Sequence, residues 1–148
     1  MDWSTVFAAV NLLAMVAWAA LILAPRPPVV LAGVLYIGVG ILCLVYAVSL
    51  IGVVAGVFPN NRGSALNINI EAVRGFFGSD AGVTIGWTHY LAFDLFVGLW
   101  IARDADAKGF SRWLQAPVLL ATFLVGPIGL LVWLGVRERR ARSVGRWN

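Results

Sequence analysis

Residues 81–102, AGVTIGWTHYLAFDLFVGLWIA, form an apolar run bounded by Asp80 and Arg103, with one acid, Asp94, near its middle. As a helix this run rises about 33 Å, which matches a hydrocarbon core of about 30 Å. Three further apolar runs occupy about 3–24, 29–57 and 113–136. Over the whole chain of 148 residues, 61% are hydrophobic and 12% charged, with a mean hydropathy of +0.88. A soluble domain carries roughly 25% charged residues, so soluble classes are excluded. The expected fold is all-α: one polytopic membrane domain, a bundle of four transmembrane helices in the lipid bilayer.

The connections refine that expectation. Pro25-Arg26-Pro27-Pro28 ends the first run and leaves room only for a tight reversal, so the first two helices should form an antiparallel hairpin. Residues 28–58 lack any charge and would extend about 46 Å if straight, which predicts a tilted or bent helix. Between the second and third runs, Leu66, Ile70, Val73 and Phe77 fall on one helical face and Asn67, Glu71 and Arg74 on another. That pattern predicts an interfacial amphipathic helix over 65–77, with a short strand at 66–70 as the alternative. Pro127 lies inside the fourth run and predicts a mid-membrane kink that frees the carbonyl of Phe123. Ala17-Trp18-Ala19 could pass for a signal-peptidase site, but Met1-Asp2-Trp3-Ser4 carries no positive charge, so the first helix is expected to be retained. No internal repeat supports an inverted-repeat transporter.

Seventeen of the eighteen charged side chains fall outside the apolar runs and read as topology determinants. Five of the eleven cations crowd into the tail at 137–148, the place of a cytosolic anchor or anionic-lipid contact rather than a nucleic-acid site. With four spans, the amino end, the 60–80 loop and the tail share a side and carry seven cations against four. Both termini are therefore expected in the cytosol, the protein being multi-pass in the cell inner membrane. The lone Cys43 excludes an intrachain disulfide or a thiol metal cluster, and no metal site is expected.

Asp94 is the charged residue left over. A carboxylate in the bilayer costs at least about 2.5 kcal/mol and must face the bundle interior. At about 100° per residue Trp87 and Tyr90 share its stripe, whereas His89 points about 140° away, toward Phe93, Phe96 and Trp100. The functional reading is an acid/base site in an apolar, aromatic-walled pocket, where the carboxyl could hold and donate a proton. The structural reading is an interhelical tie worth about 1 kcal/mol. His89 is either a ligand or catalytic group, or hydrogen-bonded to a carbonyl such as the one freed by Pro127. A single histidine rules out bis-histidine haem and leaves one-histidine haem ligation as a weak option. Asn11 is the polar group of the first span best placed to reach the same interior. Lys108 lies in a loop, so a Schiff-base retinal is excluded.

The run Trp87-Thr88-His89-Tyr90-Leu91-Ala92-Phe93-Asp94-Leu95-Phe96-Val97-Gly98, followed by Gly126-Pro127-Ile128-Gly129, resembles the small membrane family of the plant abscisic-acid-deficient protein associated with neoxanthin synthesis. The resemblance implies about four helices and a role in or near xanthophyll metabolism, where an epoxide opens to an allene. By analogy Asp94 would be the catalytic acid and His89 the base. Trp87, Tyr90, Phe93 and Phe96 would line a polyene groove, with Asn11 and Pro127 nearby. The Arg- and Gly/Ala-rich chain has a bacterial character. The resulting expectation is binding or isomerisation of a carotenoid or other isoprenoid, with no cofactor certain and haem through His89 disfavoured. The competing classes are a non-catalytic accessory subunit, in a homo-oligomer or larger membrane complex, and a small transporter or proton conductor.

Overall fold

The computed structural model describes residues 2–58 and 69–145, and every regular element among them is a helix. Helix α1 (Trp3–Leu23) is capped by Asp2, whose carboxylate accepts from the Ser4 amide. The Pro25–Pro28 reversal leads into α2 (Pro28–Gly33), a π-helical stretch (Val34–Val39) and α3 (Gly40–Val54). These run on as one apolar helix, Pro28–Val54. It returns beside α1 as expected, with Gly38 against Ala17 and the Trp3 and Phe58 rings 5.9 Å apart. Its wider π turns take up part of the excess length.

Helix α4 (Ile70–Phe77) is amphipathic but begins later than the expected Ala65. Asn69 has an extended backbone, and its side chain accepts from the Ala72 amide, which starts the helix there. Residues 65–68, with most of the strand alternative, lie outside the described residues. Phe77 closes over Gly86 to dock α4 on α5 (Asp80–Ala107), the long central helix. Trp18, Leu21, Leu42, Leu95, Leu99 and Leu119 are among the side chains of the core.

The fourth run departs from expectation. Three helices, Trp3–Leu23, Pro28–Val54 and Asp80–Ala107, are long and apolar enough to cross a membrane. The run 113–136 instead breaks into α6 (Arg112–Val125) and α7 (Pro127–Val144). With 14 residues, α6 reaches only about 21 Å, too short for a crossing. Contacts to α5 give its course. Gln115 donates to Asp106 near the end of α5, and Gly126 packs on Asp94 at its middle. The chain then reverses, because Trp133 and Arg137 of α7 donate to Asp104, and Arg140 donates to the Gly109 carbonyl. The pair α6–α7 is a re-entrant helical hairpin, entering and leaving at one end of the bundle. Pro127 acts as the first residue of a new helix, where its missing N–H costs nothing. Gly129 permits the close return, since a Cβ there would collide with the backbone of Thr122. The expected kink is thus a reversal.

The chain termini follow from this. The start of α1 lies with Phe58 and Trp87, whereas α7 runs out beside Asp104 and Gly109. The two ends stand at opposite ends of the bundle. This differs from the expectation of both termini on one side, because the fourth run doubles back instead of passing along the whole bundle.

Candidate functional site

The hairpin covers only half of the face it packs on. On the stripe of α5 that contains Asp94, residues 83, 87, 101 and 105 all lie within about 20° of Asp94 in helical angle. Ile101 and Ala105, alongside the hairpin, are 0% exposed, while Val83 and Trp87, beyond its tip, are each 44% exposed. Asp94 sits at the boundary, half-buried. It therefore sits where the cover of the Gly126-Pro127 tip ends and the exposed part of the stripe, here termed the notch, begins. A Cβ on Gly126 would occupy the position of the Asp94 carboxylate, so glycine lets tip and acid meet.

The carboxylate of Asp94 accepts no hydrogen bond and forms no ion pair among the described residues. It lies beside the first turn of α7, whose leading amides have no partner within the helix. The upper wall of the notch is fixed by polar and aromatic contacts between α1 and α5. The Trp87 indole donates to Asn11 Oδ1 at 3.0 Å, and Asn11 in turn donates to the Phe7 carbonyl at 2.7 Å. The rings of Phe7 and Trp87 stack at 6.0 Å. Tyr90, one turn before Asp94, is 60% exposed at the rim.

The remaining candidates lie elsewhere on α5. His89 is exposed on another face, with Phe93 at 4.7 Å and Tyr46 at 5.4 Å between ring centroids. Phe93 and Phe96 line an apolar furrow against the π-helical stretch and α3. Asp94 thus lies beside Gly126-Pro127 on the same face as the Trp87–Asn11 pair, His89, Phe93 and Phe96 lie on another, and the Tyr90 ring, 6.2 Å from His89, stands between the two groups. Among the described residues no three of His, Cys, Asp and Glu gather as a metal-ligand set.

A second cluster carries structure rather than chemistry, and the sequence reading missed it. Asp104, one of the charges that read as topology determinants, is nearly buried and is bonded by Arg137 at 2.7 and 2.8 Å, Lys108 at 2.8 Å and the Trp133 indole at 3.0 Å. Alongside, Arg26 pairs with Asp106 and also donates to Gln115, while Gln115 donates to Asp106 and to the Phe110 carbonyl. Arg112 donates to the carbonyls of Ile22 and Ala24. These bonds clamp both feet of the hairpin to α1 and α5, and so set the height of its tip. A buried Gln among apolar residues, 0% exposed at position 115, was the available signal.

Residues 5–133 match the protein family described as ABA4-like, ABA DEFICIENT 4-like, a span from the first turn of α1 to Trp133 on the returning arm. No curated protein and no solved structure matches the chain.

Proposed function

Because this chain is a membrane protein belonging to the ABA DEFICIENT 4-like family, we propose that it binds a carotenoid or related isoprenoid in the notch above the hairpin tip and isomerises it with Asp94 as the proton-handling group. The observation that carries this reading is the Asp94 carboxyl: mid-helix, half-buried, without a partner among the described residues, and facing a mouth walled by aromatics. An acid held only as an interhelical tie would have a donor, and none is in place among the described residues. A long apolar ligand can enter such a site sideways from the bilayer, with Trp87 and Tyr90 against its chain.

One carboxyl is enough for a net isomerisation. Its proton adds to an oxygen or carbon of the ligand, and the resulting carboxylate takes a proton from a neighbouring carbon, which restores the acid and leaves the ligand composition unchanged. The adjacent N-terminal turn of α7 favours the transient carboxylate. His89 lies on another face and is not required for the cycle. The analogy that paired it with Asp94 as base is replaced by this single-residue scheme.

The proposed orientation follows the charge. Of the nine described cations, Arg26, Arg103, Lys108, Arg112 and four arginines of α7 lie at the hairpin end, and Arg74 alone lies at the other. The hairpin end is assigned to the cytosol, so the notch opens toward the opposite leaflet. To test the function, the protein is purified from a carotenoid-producing host and its visible spectrum and pigment profile are compared with those of Asp94→Asn. Bound pigment in both proteins, with an altered isomer profile only in the parent, is the expected result. A colourless parent whose Asp94→Asn variant leaves the cell's pigments unchanged would refute it. Co-purification of a stoichiometric membrane partner in that case would support the accessory-subunit reading.

A further inference from the structure

On the side of α5 away from the notch, a furrow of about 440 Å³ runs between Phe93 and Phe96 and the residues Leu35, Tyr36, Val39 and Cys43. A second hollow of about 290 Å³ shares Leu35 and Phe96 with it and reaches Trp100, Arg103 and Asp104. The two hollows differ in chemistry: the first is wholly apolar and the second presents polar atoms. Together they form a channel with an apolar stem in the bilayer and a charged head at the membrane edge. The wall opposite α5 is formed by the π-helical stretch, which supplies Leu35, Tyr36 and Val39. Local π turns of this kind often accompany functional sites.

The charge at the head selects the occupant. Arg103 has no hydrogen bond or ion pair among the described residues. Asp104 is bonded by both Arg137 and Lys108, and the Arg137 guanidinium also lies 5.3 Å from the Trp100 ring centroid. Lys108 and Arg137 are engaged by Asp104, and Glu138 also acts on Arg137, so Arg103 is the cation of the head left to meet an anion, close to the Trp100 indole. An indole flanked by arginines suits the glycerol-phosphate zone of a lipid.

We propose that this channel holds one acidic phospholipid, with an acyl chain between the π turns and Phe93 and Phe96 and its phosphate on Arg103. The site lies on the opposite side of α5 from Asp94, so the proposal stands independently of the isomerase reading.

Cys43, the only cysteine of the chain, is exposed and lines the stem, so it reports occupancy without any substitution. Delipidated protein in detergent is titrated with dioleoylphosphatidylglycerol or dioleoylphosphatidylcholine. Retained lipid is counted by native mass spectrometry, and the rate of Cys43 modification by a maleimide is followed. One phosphatidylglycerol should be retained and should slow the modification, with phosphatidylcholine several-fold weaker. Arg103→Ala should weaken phosphatidylglycerol retention about fivefold, the equivalent of the roughly 1 kcal/mol one interfacial arginine contributes. Arg139→Ala, on the exposed tail side of α7, should change neither readout. Equal retention of the two lipids, or an Arg103→Ala variant indistinguishable from the parent, would overturn the proposal. So would protection of Cys43 by glycerol phosphate alone, or by dimerisation without lipid.

Discussion

Asp94 and Asp104 stand on the same helix and could hardly be treated more differently. Asp104 is bonded by two cations and an indole, while Asp94 has no partner among the described residues. The difference separates a carboxylate used to build from one left available. Asp104 fixes the returning arm of the hairpin, and the hairpin in turn carries Gly126 to Asp94. The saturated acid thereby positions the surroundings of the bare one.

The largest effect should come from breaking the saturated site. Arg137→Ala removes two charge-assisted bonds from the nearly buried Asp104, which keeps Lys108 and the Trp133 indole, and should cost about 1.5–3 kcal/mol. Thermal unfolding in detergent should show a large fall in midpoint. Next comes the return of the hairpin. Gly129→Ala forces a methyl group onto the Thr122 backbone and should destabilise by about 1–3 kcal/mol. Faster amide exchange in residues 122–130 should accompany that loss. Trp87→Phe removes the indole bond to Asn11 while keeping the ring, a loss of about 0.5–1.5 kcal/mol by the same unfolding assay. Asp94→Asn should stay within about 0.5 kcal/mol of the parent, since no bond is lost. The isomerisation proposed for it should nevertheless fall by at least about 100-fold. A strongly destabilised Asp94→Asn protein would erase the contrast between the two acids.

The parts legible in the sequence were those written in long apolar runs and breakers. The α1–α2 reversal at Pro25–Pro28, the three crossing helices and the amphipathic α4 all follow from hydropathy and periodicity. The stripe joining Trp87 to Asp94 was legible too, because helical angle alone sets it. The hairpin was not. A re-entrant pair in the bilayer needs the same apolar composition as one crossing helix, so the run 113–136 satisfies both readings. Gly126-Pro127 with Gly129 marked the spot, but its interpretation as kink or reversal depends on contacts far away in the chain, at Asp104 and Asp94. Misreading it also put the amino end on the same side as the tail. The charges of 103–112 were equally opaque, since topology markers and clamp residues have the same composition.

The placement of both acids depends on the hairpin, and the topology of the termini tests it most directly. In a Cys43→Ser background, Ser4→Cys and Ser143→Cys are labelled separately with a membrane-impermeant maleimide in sealed vesicles of known orientation. Three crossings with a re-entrant hairpin predict that the two positions react from opposite faces, Ser143→Cys from the cytosolic one. Labelling of both from the same face would mean a fourth crossing and would contradict the account.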